Sequence, residues 1–250
     1  PGSSGTVGTG NVLLAAALLP TTVNVIVDKT TGAATGLGQF AAQAGTPRNI
    51  SVTGDIVTRG GAVTLSAGDS TSSNGNVLVT GKVDNQISAT GVGTGAGGSF
   101  TAVQNSASAF TIGGATVNGI GSATAAILTE AGTSGGAGKG GTVDITNNGA
   151  GGITANLGSI AVPVIDIRAS GSGSGGIFKL TAPIGPVSLV STGNGLNASA
   201  ASGGGGNGGQ VNISAQTFSS TGNPLLSASG DGAGAGGSVR VVSTQAGNAI

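Results

Sequence analysis

The sequence predicts an all-β chain wound as a parallel β-helix (β-solenoid), and three observations carry that expectation. Apolar and polar residues alternate with period two, the alternation returns in copies a few tens of residues apart, and the stretches between copies are Gly, Ser and Asn. Gly fills 53 of 250 positions, against roughly 7% in ordinary chains. Helix is a poor use of such a chain, because each interior Gly costs about 1 kcal/mol relative to Ala, and Thr, Val and Ser are mediocre helix formers. Disorder is no better. Disordered chains combine low hydrophobicity with high net charge, whereas this one is 37% apolar, carries net charge zero and has a mean hydropathy of +0.31.

The clearest copies begin at a Gly pair. They read Gly60-Gly61-Ala62-Val63-Thr64-Leu65, Gly97-Gly98-Ser99-Phe100-Thr101-Ala102, Gly140-Gly141-Thr142-Val143-Asp144-Ile145, Gly175-Gly176-Ile177-Phe178-Lys179-Leu180, Gly208-Gly209-Gln210-Val211-Asn212-Ile213 and Gly236-Gly237-Ser238-Val239-Arg240-Val241. The second Gly falls at 61, 98, 141, 176, 209 and 237, at intervals of 37, 43, 35, 33 and 28. A weaker copy stands at Gly38-Gln39-Phe40-Ala41-Ala42.

Two residues beyond that Gly the column is Val63, Phe100, Val143, Phe178, Val211 and Val239. Four residues beyond, it is Leu65, Ala102, Ile145, Leu180, Ile213 and Val241. The column between them (Thr64, Thr101, Asp144, Lys179, Asn212, Arg240) holds the charges. Strand side chains alternate faces, so the two apolar columns point inward and the charged one meets water. A silk-like or linker-like Gly/Ser/Ala tract with accidental periodicity would not confine charge to one outward column.

A second strand is read at Ile50-Ser51-Val52-Thr53-Gly54, Ile87-Ser88-Ala89-Thr90-Gly91, Ile167-Arg168-Ala169-Ser170-Gly171, Leu196-Asn197-Ala198-Ser199-Ala200 and Leu226-Ser227-Ala228-Ser229-Gly230. The copy at Leu128-Thr129-Glu130-Ala131-Gly132 puts a carboxylate at an inward place, so either the strand bulges there or Glu130 turns outward. A third, looser strand is read at Val77-Leu78-Val79, Phe110-Thr111-Ile112, Ile160-Ala161-Val162, Val187-Ser188-Leu189 and Thr217-Phe218-Ser219.

Three short strands per copy, joined by Gly-rich corners, make one coil of about six to seven, each stacked about 4.8 Å above the last. The Gly residues at 61, 98, 141, 176, 209 and 237 are expected at coil corners. Positive φ is expected there, with Asn76, Asn148, Asn194, Asn207 and Asn223 tolerating it as well. Residues 1–49 are expected to form irregular N-terminal coil or coils, and 50–250 one continuous array.

Composition removes several functions. With no His and no Cys there is no His-based triad, thiol nucleophile, zinc finger or disulfide framework. Eight basic and eight acidic residues leave no electrostatic footprint for nucleic acid. The longest apolar run, Val12 to Leu19, ends at Pro20 and falls well short of the roughly 20 residues of a membrane-spanning helix. It reads as a buried strand rather than a signal-peptide core, since no basic residue precedes it. The chain opens Pro1-Gly2-Ser3 and contains no Met, so a processed product or a window from something longer is expected.

The run Gly206-Asn207-Gly208-Gly209-Gln210-Val211-Asn212-Ile213-Ser214-Ala215, with Leu226-Ser227-Ala228-Ser229-Gly230, resembles repeats of filamentous-haemagglutinin-like secreted proteins of cyanobacterial and proteobacterial type. The likeness covers about residues 50–250 through repeat form, without a catalytic motif. It implies a right-handed parallel β-helix in an extracellular or cell-surface protein, exported by a two-partner route and acting as an adhesin or structural fibre. No export-signal motif of that family stands in residues 1–49, so a shaft segment is implied.

Candidate chemistry is sparse. Asp166 and Arg168 share a face, as Lys82 and Asp84 do, while Asp55 and Arg59 straddle a turn; Asp144 lies one coil before Lys179, which fits charge balancing. A hydrolase needs paired carboxylates at a set separation, and no two acids are closer than Asp55 to Asp69 or Glu130 to Asp144. A polysaccharide-binding or polysaccharide-cleaving β-helix is the alternative function, yet the chain has five Phe and neither Trp nor Tyr for sugar stacking. Gly230-Asp231-Gly232-Ala233-Gly234 carries one Asp where calcium-binding Gly/Asp repeats need several. Lys139, in Gly138-Lys139-Gly140-Gly141, leads into a strand and not the helix a phosphate loop requires. An ice-binding face would continue the Thr64, Thr101 row that Asp144 and Lys179 break.

The expectation is therefore a non-enzymatic structural or adhesive segment without cofactor or metal. Its partners would be flanking coils of the same polypeptide or head-to-tail copies of itself, with surface glycans as further ligands and neither nucleic acid nor membrane insertion. An uncapped stack exposes unpaired strand edges at both ends.

Overall fold

The computed structural model describes residues 11–16, 21–24, 39–44, 49–57, 60–67, 74–86, 97–129, 138–158, 164–169, 171–191, 195–200, 202–222 and 226–245; before residue 49 only the backbone is described. Every element among them is a strand. Three sets of strands account for the architecture.

The first set comprises β1 (Asn11–Ala16), β3 (Gln39–Ala44), β6 (Ala62–Ala67), β10 (Ser99–Ser106), β14 (Thr142–Asn147), the first half of β17 (Ile177–Val190), the first half of β19 (Gln210–Thr221) and β21 (Ser238–Ser243). Each pairs in parallel with the next. The second set is β2 (Thr21–Asn24), β4 (Ile50–Thr53), β8 (Val77–Val79), β12 (Gly119–Ile120), β11 (Phe110–Ile112), β15 (Ile153–Asn156) and the second halves of β17 and β19, again parallel.

A four-stranded third set joins β5 (Ile56–Val57), β9 (Val83–Asp84), β13 (Ile127–Leu128) and β16 (Ile165–Asp166), while β18 (Leu196–Asn197) pairs with β20 (Leu226–Ser227). β7 (Asn74–Gly75) makes the antiparallel contact, against the end of β10. The whole is an all-β, largely parallel, nearly closed sheet. β17 and β19 run through the corner between the first two sets, and their register shifts between Ala182 and Pro186.

Register fixes the core. Val12, Phe40, Val63, Phe100, Val143, Phe178, Val211 and Val239 occupy one column of Cα partners, and Leu14, Ala42, Leu65, Ala102, Ile145, Leu180, Ile213 and Val241 the other. From Val63 to Val211 the first column is wholly buried, and from Leu65 to Ile213 the second is at most 1% exposed. The columns compensate each other in volume. Phe100 shares its layer with Ala102, whereas Val63 shares with Leu65, Val143 with Ile145 and Val211 with Ile213. A large residue beside a small one keeps the layer filled without strain; Phe178 with Leu180 is the departure. Thr64, Lys179 and Arg240 of the middle column are exposed, and Thr101, Asp144 and Asn212 partly so.

Three expectations about the remaining strands and corners need correction. Ile50–Thr53 sits between β2 and β8, alongside Val77–Val79, while Leu196 and Leu226 pair with each other elsewhere. Leu128 pairs with Asp84 and Asp166, so Ile127 is the buried counterpart of Val83 and Ile165. Beside Val187 lies Ile153; Ile160–Val162, Ile87–Gly91 and Glu130 fall outside the described residues. Period two reveals which residues go inside, and carries no label for which sheet they join.

The corners are the third correction. The positive-φ residues do not include Gly61, Gly98, Gly141, Gly176, Gly209 or Gly237, nor Asn76, Asn148 or Asn207; Asn194 and Asn223 fall outside the described residues. For most of these glycines the reason is close approach. A Cβ on Gly98 would lie 2.5 Å from the Asn85 carbonyl oxygen and 2.6 Å from that of Gly61, and Gly141, Gly176, Gly209 and Gly237 are crowded by backbone in the same way. Asn207 serves through its side chain, its Oδ1 accepting from the Ala235 N–H at 2.8 Å.

Candidate functional site

The charged groups of the described chain fall in three places. On the outer face of the first set, Asp144 and Lys179 are register partners on β14 and β17, and Lys179 Nζ donates to Asp144 Oδ2 at 3.0 Å. Such an exposed pair contributes about 0–1 kcal/mol. Arg240 stands on the same face, on β21, and Lys139 is exposed just ahead of β14.

The third set gathers more charge. Lys82 Nζ lies 3.2 Å from Asp84 Oδ2, and Asp84 Oδ1 accepts from Gln86 Nε2 at 2.9 Å. The Lys82 N–H donates to Asp55 Oδ1 at 2.9 Å. Two strands away, Arg168 holds Asp166 with a fork, Nε to Oδ1 at 2.9 Å and Nη2 to Oδ2 at 2.5 Å. Leu128 separates Asp84 from Asp166 as register partner of both. The structure thus brings together, on one short sheet, two pairs whose carboxylates, Asp84 and Asp166, are 82 residues apart in the sequence. Asp84 and Asp166 each have a cation two residues away along the chain, and a forked Arg–carboxylate pair is a fixed charge-assisted link, so charge is balanced within each pair. Arg59, the expected companion of Asp55, is outside the described residues. Among the described residues no group of three or more acids could hold a metal ion.

The third place is a corner. Asp231 Oδ2 accepts from the N–H groups of Gly204 at 2.8 Å and Gly205 at 3.2 Å, thereby tying one repeat to the preceding one. Gly203 and Gly205 sit at φ of 86° and 71°, a conformation that turns successive N–H groups toward one anion. These donors, Gly205 first, hold the Asp231 carboxyl below its ordinary value of 3.8 against an opposing contribution from burial. A depressed folded pKa means the carboxylate stabilises the fold above the ordinary carboxylate range and loses that effect as acid titrates it. Melting temperatures measured from pH 5 down to pH 2 are expected to fall less steeply for Asp231→Asn than for the parent chain. Parallel curves would show that the clamp adds no stability.

One inward column also carries polar residues. Six residues past the second Gly the column runs Ala67, Gln104, Asn147 and, further on, Ala182 and Ala215. Asn147 is fully used: Oδ1 accepts from the N–H groups of Ser106 and Gly149, each at 3.0 Å, and Nδ2 donates to the carbonyls of Gly152 at 2.8 Å and Ser108 at 3.2 Å. The even offset from Gly141 was the available signal, since it places residue 147 inside.

The last feature is an edge. Among the described residues β21 pairs with β19 on one side, and along the first column exposure rises from none at Val211 to 46% at Val239. Phe218, Leu226 and Val241 are likewise only partly buried there. Comparison with protein-family models, curated proteins and solved structures finds no match to this chain.

Proposed function

We propose that the chain is a right-handed parallel β-helix of about six to seven three-stranded coils. In this reading it serves as a non-catalytic structural or adhesive segment of an extracellular fibre on a bacterial surface. The observation that carries the reading is the buried Val/Phe column that stays in parallel register from Val63 to Val211. A parallel strand edge bearing apolar side chains is a template for another strand. Further coils of the same polypeptide, or another copy of it, would complete the column, and surface glycans are the ligands an adhesive role would take. The parallel register of eight successive strands in the first set supports the coil geometry, and the repeat form at residues 206–215 supports the family resemblance.

The polysaccharide-binding or polysaccharide-cleaving alternative draws on the Lys82–Asp84 and Arg168–Asp166 pairs sharing one sheet. It ranks second because each carboxylate is already held by a cation. Sedimentation and electron microscopy of the 250-residue chain test the favoured reading. Particles that lengthen with concentration at constant width are expected; a monomer at every concentration, with β21 amides protected from exchange, overturns it.

A further inference from the structure

One repeat carries a small duplication. Residues 111–116 read Thr-Ile-Gly-Gly-Ala-Thr and residues 119–124 read Gly-Ile-Gly-Ser-Ala-Thr, so that Ile, Gly, Ala and Thr recur at an offset of eight. The interval from Gly98 to Gly141 is 43, eight more than the 35 from Gly141 to Gly176.

The two copies lie side by side. Thr111 and Ile112 of β11 are the parallel partners of Gly119 and Ile120 of β12, and the N–H groups of Gly113 and Gly114 donate to the carbonyls of Ile120 and Gly121 at 3.0 and 3.1 Å. Gly119 permits the approach: at φ of 119°, a Cβ there would run into the Thr111 backbone. β12 then pairs with β8 of the preceding repeat, and β11 with β15 of the following one.

Among the described residues, the other two sets have no second strand at this level. β10 alone bridges β6 and β14, and β13 alone bridges β9 and β16. The same span is therefore three strand spacings deep in the second set and two in the others. At the seam the ladder is patched with polar side chains. Asn118, 4% exposed, donates through Nδ2 to the carbonyls of Ser108 and Ala109, each at 3.0 Å, while its Oδ1 accepts from the Val77 N–H at 3.1 Å. β7 fills the adjoining corner by running antiparallel to Asn105 and Ser106.

We infer that the eight-residue duplication is a wedge that bends the stack, with the face carrying β11 and β12 on the convex side. The inference rests on the parallel β-helix reading above and is independent of the fibre role. One extra strand spacing of about 4.8 Å set against a sheet-to-sheet depth of about 10 Å gives a bend of up to about 25°. In a fibre, this repeat is an elbow at a fixed place and in a fixed direction.

An experimental structure of the 250-residue chain gives the angle between the axes of layers 62–86 and 142–190. The expected result is a bend of about 15–25°, convex on the second set; collinear axes overturn the inference. Deletion of residues 113–120 joins Ile112 to Gly121, restores an interval of 35 and leaves one strand between β8 and β15. Small-angle scattering is expected to show the deletion variant straighter than the parent, and an unchanged bend overturns the inference. Should the variant fail to fold, the angle in the parent chain decides alone. A bent monomer would overturn the fibre role and leave the wedge standing, and a straight filament would do the reverse.

Discussion

Phe100→Ala is expected to cost about 3–5 kcal/mol of folding stability, the range for removing a buried aromatic from a core that relaxes only partly. Phe100 is wholly buried between its register partners Val63 and Val143, and its neighbour in the layer, Ala102, is too small to fill the space vacated. The layers above and below offer a repair. They hold a Val with a Leu or Ile, so Phe100→Val combined with Ala102→Leu gives this layer the composition of Val63 with Leu65. Chemical denaturation of the single and double variants measures the coupling. The double variant is expected to recover more than half of what Phe100→Val loses. A double variant no more stable than the single would show that each column packs independently of the other.

Much of this arrangement is legible in the residues because burial and charge separate cleanly by parity. Asp144, Lys179 and Arg240 share one offset from the Gly pair, and Val143, Phe178 and Val239 its neighbour, so the faces of the first strand set can be read in order. Parity is silent about position around the stack. Ile50 and Leu196 fit one sequence pattern and enter different sheets, because the same alternation satisfies any half-buried strand. The two-residue strand at Gly119–Ile120 is too short to produce a periodic signal of its own; only comparison with residues 111–116 reveals it. The candidate site was readable in pieces. Lys82 with Asp84 and Asp166 with Arg168 follow from spacing, but their meeting on one sheet depends on loops whose lengths carry no register information. A lone Asp231 in its Gly-rich run is a poor cation ligand, and its part as an acceptor becomes evident only when Gly204 and Gly205 of the previous repeat lie against it.

The repeated glycines show the same dependence on a neighbour distant in sequence, and they give a sharp test. Gly209 is not among the positive-φ residues, so backbone preference alone would admit alanine there. Its Cβ, however, would fall 2.5 Å from the Ala198 carbonyl oxygen and nearer still to that of Gly176, both next to strands of the preceding repeat. Backbone cannot swing aside as a side chain can. Gly209→Ala therefore has to spread two hydrogen-bonded layers, with an expected loss of about 1–3 kcal/mol and some local ladder bonds besides. Gly236 is the control. It too has no positive φ, and in the unassembled 250-residue chain, with nothing stacked on β21, a Cβ there meets nothing within 4 Å. At concentrations where the chain is monomeric, Gly→Ala there therefore stabilises by about 0.4–1 kcal/mol through the unfolded chain. Thermal unfolding of the two single variants should move in opposite directions, with hydrogen exchange at Gln210 and Ile177 rising for Gly209→Ala alone. If both variants melt with the parent chain, close stacking between repeats is not what fixes glycine at these positions, and the register of the first strand set loses its main steric support.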